Sequence, residues 1–179
     1  MAFRNPSLEE IRALLQRVRT IAVVGLSPRA DRPSHRVAAA LQRFGYRVVP
    51  VRPMAKEVLG EKAYPDLASV PDKIDLVDVF RAPEHVDEVV DACIALRRSA
   101  VAAAGILRST GTCECPERQE ADGDPRAAQA HPWALWLQDG VVNEPAAQRA
   151  RDAGITVVMD RCVFRDYVRL CGAGPRCAP

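Results

Sequence analysis

Short apolar runs alternate with amphipathic stretches along most of this chain. The runs are bounded by glycine, proline or charged residues, which is typical of the buried strands of a sheet. They predict strands at 21–24, 47–51, 76–80, 134–137 and 156–159. Apolar residues at helical spacing predict helices at about 7–19, 34–45, 84–96, 144–153 and 164–170. Because parallel strands need crossover connections, the alternation predicts one α/β domain over 1–170, with a doubly wound, five-stranded parallel sheet.

One segment interrupts this alternation. Between Ser99 and Pro132 the pattern predicts neither a strand nor a long amphipathic helix, and 109–131 is rich in Gly, Pro, Thr, Asp, Glu and Arg. Because such a long loop is unusual in a compact domain, two interpretations stay open: a disordered insertion over 99–132, or a true transcript that differs here. We expect deletion of 109–131 to leave the melting temperature nearly unchanged. The tail 171–179 is also predicted to be disordered.

Charge and hydropathy narrow the class of protein. The net charge is only +2 and no window is uniformly basic, which argues against nucleic acid as a partner. No apolar run approaches the roughly 20 residues that span a bilayer, and the first seven residues lack the apolar core of a signal peptide. We therefore expect a cytoplasmic protein without membrane contact, in which the six cysteines are reduced.

The first predicted strand leads into a turn that suits a phosphate group. Gly25 ends the apolar run and permits close backbone approach, and a polar turn then leads to a helix N-terminus near Ser34. Ser27 and Ser34 can each cap a helix or bond to a phosphate. Because the turn has only one glycine, neither the G-x-G-x-x-G fingerprint nor the G-x-x-x-x-G-K-[ST] loop is present.

Four arginines are predicted to meet at the carboxyl edge of the sheet. Arg29 and Arg32 lie in the first turn, Arg52 follows the second strand and Arg81 follows the third. NAD-binding proteins have an acidic residue at the position of Arg52, whereas an arginine there suits a ribose phosphate, as in CoA or NADP. Any one of these arginines could equally be a solvated loop residue. Their convergence favours a site for a phosphorylated nucleotide.

Several motifs resemble the small stand-alone CoA-binding proteins related to the CoA-binding domain of succinyl-CoA synthetase α subunits. In chain order they are GLSPRADRPSHRV, RVVPVRP, VLGEKAYPDL, DLVDVFR, ALWLQDGVVNE and VVMDRC. The resemblance covers 7–98 and 133–170 and implies a Rossmann-like fold with coenzyme A as ligand. In that family the helix that ends near Arg98 is followed almost directly by the strand of Trp136. The segment between them and the tail after 170 are therefore departures from the family.

The resemblance also implies roles for individual residues. The stretch 25–34 would cradle the pyrophosphate, through Gly25, Leu26, Ser27, Arg29, Arg32 and Ser34. The adenosine end would be framed by Pro53, Phe80 and Arg81, together with Pro83. Trp136 and Gln138 would line the crevice, although Trp136 could equally be a core residue.

Candidates for catalysis or metal binding are weaker. His35 could assist binding or simply lie at the surface, and His85 and His131 have no matching partners. The C-x-C of the interrupting segment has no second pair at zinc-site spacing, so no metal is expected. Cys162 follows the fifth strand and could be a buried, inert thiol or a reactive one. In the second case we hypothesise a mixed disulfide with CoA under oxidising conditions.

Together these observations predict a protein that binds CoA or acyl-CoA and has no catalytic activity of its own. One alternative is an NADP-dependent oxidoreductase, although no Tyr/Lys pair for hydride transfer is visible. Another is a separate CoA-binding subunit of an acyl-CoA synthetase, which would co-purify with its partner chain. A protein partner is compatible with each of these functions.

Overall fold

The computed structural model describes residues 3–109 and 132–175. The helices are α1 (Leu8–Arg17), α2 (Pro33–Arg43), α3 (Val86–Ser109), α4 (Glu144–Asp152) and α5 (Val163–Cys171), with a 3-10 turn at Pro83–His85 before α3. The strands are β1 (Thr20–Val24), β2 (Arg47–Val51), β3 (Glu57–Val58), β4 (Glu61–Lys62), β5 (Leu76–Val79), β6 (Ala134–Leu137) and β7 (Thr156–Val158).

Five of these strands form one parallel sheet, in the order β2-β1-β5-β6-β7. The order runs outward in both directions from β1 and β5, so the doubly wound sheet predicted from the sequence is confirmed. Strands β3 and β4 pair antiparallel in a separate short hairpin. In open sheets of this kind, ligands bind outside the carboxyl ends of the strands at the point where the order reverses. Here that point lies between β1 and β5.

Two apolar layers cover the sheet, one on each face. On the first face, which we call the α5 face, residues such as Ile11, Leu41 and Tyr167 bring α1, α2 and α5 onto the sheet. On the second, the α3 face, residues such as Val90 and Ala147 bring α3 and α4 onto it. Strand residues belong alternately to the two layers, as the twofold period of a strand requires.

Both outer strands are bonded along part of their outer edge. Next to β2, the N–H of Tyr64 donates to the carbonyl of Pro50 at 2.9 Å, and the N–H of Arg52 donates to the carbonyl of Tyr64 at 2.8 Å. At the end of β7, the side chain of Asn5 accepts from the N–H of Met159 at 2.7 Å and donates to its carbonyl at 2.8 Å. The segment before α1 is thereby fixed beside β7.

The helix before the interrupting segment is longer than its apolar spacing predicts. It was expected to end near Leu96, but α3 continues to Ser109, so the prediction that no helix covers 99–109 is wrong. The stretch 100–104 is rich in alanine, which has the highest helix propensity and adds no apolar stripe. The rest of the interrupting segment, 110–131, lies outside the described residues.

The C-terminal tail also begins later than expected. Cys171 is the last residue of α5, and the hydroxyl of Tyr167 donates to the carbonyl of Gly174 at 3.2 Å. The expectation of disorder from residue 171 is therefore wrong at its start. Residues 176–179 lie outside the described part of the chain.

Candidate functional site

A cavity of about 450 Å³ opens at the carboxyl edge of the sheet, on the α3 face. Its apolar lining includes Val24, Val51, Leu67 and Val89, from the ends of β1 and β2, the turn after β4 and helix α3. These elements meet beside the point where the strand order reverses. The cavity therefore lies where an open α/β sheet is expected to bind its ligand.

Gly25 forms part of the cavity lining, and its position requires glycine. Its φ is +86°, and a Cβ on it would lie 2.7 Å from the carbonyl oxygen of Phe80. Its own N–H donates to the carbonyl of Val51 at 3.0 Å. Because the end of β1 is hydrogen-bonded to β2 and lies in close contact with the residue after β5, a side chain at position 25 would require a strand end to move. Close backbone approach at Gly25 is thus seen toward Phe80, whereas the approach of a phosphate to Gly25 stays a prediction.

Two guanidinium groups border the cavity. Arg81 is half-buried, and its Nε is fully buried without a hydrogen-bond partner in the described part of the chain. Arg52 is also half-buried, and its Nη1 lies 3.5 Å from the carbonyl oxygen of Leu26, beyond the usual length of a hydrogen bond. Because buried polar groups are normally hydrogen-bonded, the unpaired Nε of Arg81 points to an acceptor that the protein itself does not supply.

Two carboxylates also line this cavity. Asp66, in the turn after β4, accepts from the N–H and the hydroxyl of Ser69, both at 2.8 Å. The side-chain bond and then the backbone bond to Ser69 lower the pKa of Asp66, so this carboxyl is ionised at neutral pH. Glu88, on the first turn of α3, also lines the cavity. The rim is thus cationic at the strand ends and anionic at α3 and the turn.

The turn between β1 and α2 continues from the cavity floor. The N–H of Ser27 donates to the Oγ of Ser34 at 3.1 Å, and the N–H of Arg29 donates to the Oγ of Ser27 at 3.3 Å. Both predicted phosphate-binding hydroxyls therefore accept a hydrogen bond within the turn. Arg29 pairs with Asp31 at 3.1 Å at the surface. The N-cap of α2 is Arg32, which provides no side-chain cap. However, Pro33 has no N–H, and the N–H of His35 already donates to the carbonyl of Arg32 at 3.1 Å, so the start of α2 offers an anion at most the N–H of Ser34.

A different set of polar side chains lies inside the α5 face. Trp136 is fully buried, and its Nε1 donates to the carbonyl of Arg161 at 2.6 Å. Gln138 is buried and its Nε2 donates to Oδ1 of Asp78 at 2.8 Å. The guanidinium of Arg161 binds both oxygens of Asp166, at 2.6 and 2.7 Å. These groups bond to one another, and they do not line the cavity.

Asp78 is the exception in this set. It lies on β5 between Val77 and Val79, is fully buried, and its Oδ2 has no hydrogen-bond partner among the described residues. Burial raises the pKa of Asp78 to about 7, against the opposing effects of the Gln138 side chain and the Val79 backbone. A carboxyl with this pKa is close to half protonated at neutral pH.

Cys162 lies in a second groove, between α2 and α5. This groove of about 470 Å³ includes Val37, Phe164 and Arg165 in its lining. Cys162 is half-buried at the N-cap position of α5. The structure thus places this thiol at the carboxyl edge, as expected, but on the α5 face and outside the cavity lined by Arg52 and Arg81.

Comparison with known proteins decides the family. The family model described as "CoA binding domain" matches residues 19–121 and 125–167. The chain belongs to this family. The resemblance found in the sequence motifs is confirmed, but the match also includes 99–121 and 125–132, so the expectation that this segment departs from the family is wrong. The match shows the family of the chain without showing a bound ligand.

Relatives and solved structures agree with the family. The "Uncharacterized protein YneT" of Bacillus subtilis (strain 168) is 37% identical, over 89% of this chain and 93% of that protein. A hypothetical protein from Pyrococcus horikoshii OT3 has the same fold, with a TM-score of 0.73 at 30% identity, over 96% of this chain and 99% of that one. "Acetate--CoA ligase [ADP-forming] I" of Archaeoglobus fulgidus is 28% identical over 42% of this chain, which corresponds to 11% of the ligase.

The residues predicted from the motifs of this family fall into three groups. Those that the structure brings to the cavity are Gly25, Arg52, Pro53, Phe80 and Arg81. Those in the adjoining turn and the start of α2 are Leu26, Ser27, Arg29, Arg32 and Ser34. Trp136 and Gln138 are buried on the α5 face. Trp136 belongs to the apolar core there, in agreement with the alternative that it is a core residue. The binding roles of all twelve remain predictions.

Sequence reasoning missed Asp66, Glu88 and Asp78. The first two are exposed carboxylates in a turn and on a helix, which no local pattern distinguishes from ordinary surface residues. Asp78 did have a signal, since it is an acidic residue within the apolar run of a buried strand.

Metal binding and membrane insertion have no structural support in the described residues. Within 3–109 and 132–175, no three His, Cys, Asp or Glu side chains converge as metal ligands. No helix there is both long enough and apolar enough to cross a membrane.

Proposed function

We propose that this protein binds CoA or acyl-CoA at the carboxyl edge of the sheet and has no catalytic activity of its own. The observation that carries the proposal is the pair of half-buried arginines, Arg52 and Arg81, bordering a cavity at the carboxyl edge of the sheet. Membership of the CoA-binding domain family supports the choice of ligand. The adenosine end would occupy the cavity, and the pyrophosphate would follow the turn 25–34.

Arg52 is the proposed partner of the ribose 3′-phosphate. It directly follows β2, the position from which nucleotide-binding sheets of this kind contact the ribose. A guanidinium provides a charged, forked donor for that phosphate, and its long contact to the Leu26 carbonyl would be easily given up. Arg81, with its unpaired Nε, would serve the pyrophosphate or the ribose.

Calorimetric titration with CoA, dephospho-CoA, NADP and NAD tests this proposal. A hydrogen bond between an arginine and a phosphate contributes about 1.5–3 kcal/mol, so CoA should bind about tenfold or more tightly than dephospho-CoA. NAD should bind hardly at all. Arg52→Gln should remove the preference for CoA, whereas the control Arg43→Gln, on an exposed arginine of α2, should not change it.

Each other outcome has a definite meaning. Equal affinity for CoA and dephospho-CoA in the natural protein would remove Arg52 from this role. Tighter binding of NADP than of CoA would favour an NADP-dependent oxidoreductase. If none of the four nucleotides binds, the proposed function is wrong.

A separate CoA-binding subunit of an acyl-CoA synthetase is the second candidate. It is favoured by the 28% identity to part of the Archaeoglobus fulgidus acetate–CoA ligase, of which the aligned region is only 11%. Affinity purification from cells that express the tagged protein tests it. A stoichiometric partner chain that restores acyl-CoA synthesis would support this function over simple CoA binding.

A further inference from the structure

Charges of both signs line the cavity. Arg52 and Arg81 follow β2 and β5, and Asp66 and Glu88 lie in the turn after β4 and on α3. The rest of the lining is apolar, with Leu67 among its residues. A flat, uncharged ring suits such a lining when its anionic substituents reach the arginines. An edge of the ring that reaches a carboxylate must then offer a hydrogen-bond donor, because a carboxylate only accepts.

The two carboxylates differ in the hydrogen bonds that they accept from other residues of the protein. Asp66 accepts two hydrogen bonds from Ser69, which hold it in its turn. On the first turn of α3, Asp87 is engaged by Asn143 at 2.9 Å and by Arg149 at 2.8 Å. Glu88, the next residue, has no hydrogen bond or ion pair with any described residue, although it lines the cavity. Both bonds to Asp66 end on its Oδ1, whereas both carboxylate oxygens of Glu88 are without a partner among the described residues, so we choose Glu88 as the acceptor.

We infer that Glu88 accepts a hydrogen bond from the exocyclic amino group of adenine and makes the cavity selective for a 6-aminopurine. The inference rests on the proposed function, because it takes the cavity to hold the base of a nucleotide. The 6-amino group is the only donor on the base-pairing edge of adenine. A 6-oxopurine in the same pose would turn a carbonyl oxygen toward the carboxylate of Glu88, so two acceptors would meet.

The inference also accounts for the direction in which a ligand lies. A phosphate next to Glu88 would be repelled by its carboxylate. The same phosphate next to Arg52 or Arg81 would be attracted. The charges thus favour one direction of the ligand, with the phosphates at the strand ends and the amino group at α3.

The test compares CoA with its 6-oxo analogue, in which hypoxanthine replaces adenine. By calorimetry we expect the natural protein to bind the analogue about tenfold or more weakly, since a charged acceptor is then left facing another acceptor. In Glu88→Leu, CoA should bind about tenfold more weakly and the ratio between the two ligands should fall close to one. Glu88→Gln should also lower the ratio, because an amide can turn to accept from the amine or to donate to the oxygen.

Glu84→Leu is the matched control. Glu84 is an exposed glutamate of the 3-10 turn before α3, and it does not line the cavity. Both ligands should bind this variant as they bind the natural protein. Because Glu88 is exposed as well, the leucine variants should have melting temperatures close to that of the natural protein.

The outcomes separate this inference from the proposed function. If CoA and its 6-oxo analogue bind the natural protein equally well, CoA binding stands and the selectivity of Glu88 is overturned. The role of Glu88 is also overturned if discrimination survives in Glu88→Leu but is lost in Asp66→Asn. If CoA does not bind at all, both the function and the inference are wrong.

Discussion

The two faces of the sheet use their polar side chains in different ways near the carboxyl edge. On the α5 face, Trp136, Gln138 and Arg161 bond to other protein groups at 2.6–2.8 Å. On the α3 face, Arg81 has a buried Nε without a partner and Glu88 has no bonded neighbour among the described residues. Both faces contain charges in or next to a core, but the cavity lined by the unpaired Arg81 and Glu88 lies on the α3 face.

The contrast separates positions that hold the protein together from positions that can bind a ligand. A polar group bonded within the protein stabilises the fold, and breaking its bond costs free energy of unfolding. A polar group that faces a cavity without a partner gives little to the fold and can form a new bond with a ligand. Substitutions on the α5 face should therefore lower stability, and substitutions on the α3 face should lower affinity.

The largest effect is expected from Asp166→Ala on the α5 face. It leaves the guanidinium of Arg161, which is 26% exposed, without the two oxygens that bind it. Loss of one partner of such a pair should lower the free energy of unfolding by about 3 kcal/mol in urea titrations. The control Asp139→Ala removes the exposed partner of Arg165 and should cost less than about 1 kcal/mol. Equal costs would show that the two pairs do not differ in importance.

A pH dependence should come from Asp78, also on the α5 face. Its folded pKa is about 7 because it is buried, above the ordinary value of 3.8, so the folded state binds more protons than the unfolded state between these values. The free energy of unfolding should therefore fall as pH rises from about 4 to 7, by about 2 kcal/mol between pH 5 and 7. Asp78→Asn should remove this part of the dependence. If both proteins give the same pH profile, Asp78 does not titrate in this range.

At the boundary of the cavity, Gly25→Ala should change both stability and affinity. The added Cβ would meet the Phe80 carbonyl at 2.7 Å, and the residue would keep a φ of +86°. We expect a loss of about 2 kcal/mol in stability and weaker CoA binding. Gly45→Ala is the control, since its φ is +88° but nothing lies within 4 Å of its added Cβ. It should cost about 1 kcal/mol and leave affinity unchanged.

The smallest effect is expected from Cys162→Ser in the second groove. Because Cys162 lies outside the cavity, the affinity for CoA should change by less than about twofold, as measured by calorimetry. Stability should rise slightly, since serine is a preferred N-cap and the present N-cap of α5 forms no side-chain bond. A marked loss of affinity would mean that the ligand reaches the α5 face.

The sequence predicted the sheet and the edge of the site better than it predicted which face binds. Arg52 and Arg81 could be placed because a residue that follows a parallel strand must lie at the carboxyl edge. Trp136 and Gln138 lie on or next to β6, whose residues are all buried. A strand covered on both faces has no alternation of polar and apolar residues, so the pattern cannot tell which of its side chains face a cavity.

Two further differences have separate physical causes. The continuation of α3 to Ser109 passes through an alanine-rich stretch, where backbone propensity rather than an apolar stripe favours the helix. Glu88 becomes a candidate only in the tertiary structure, where it lines one cavity together with the ends of β1, β2 and β5. The alanine-rich stretch can be seen in the sequence by its helix propensity but not by apolar periodicity, whereas the position of Glu88 at the cavity leaves no short-range pattern.

The bonded outer edges of the sheet limit how this protein can associate with another chain. An open edge strand is a template on which a strand of a second molecule can add, and it is a common starting point for aggregation. Here Tyr64 occupies backbone groups beside β2, and the side-chain amide of Asn5 occupies those of Met159 at the end of β7. At these two places the backbone groups are already bonded, so a strand of a second chain cannot pair there without displacing Tyr64 or Asn5.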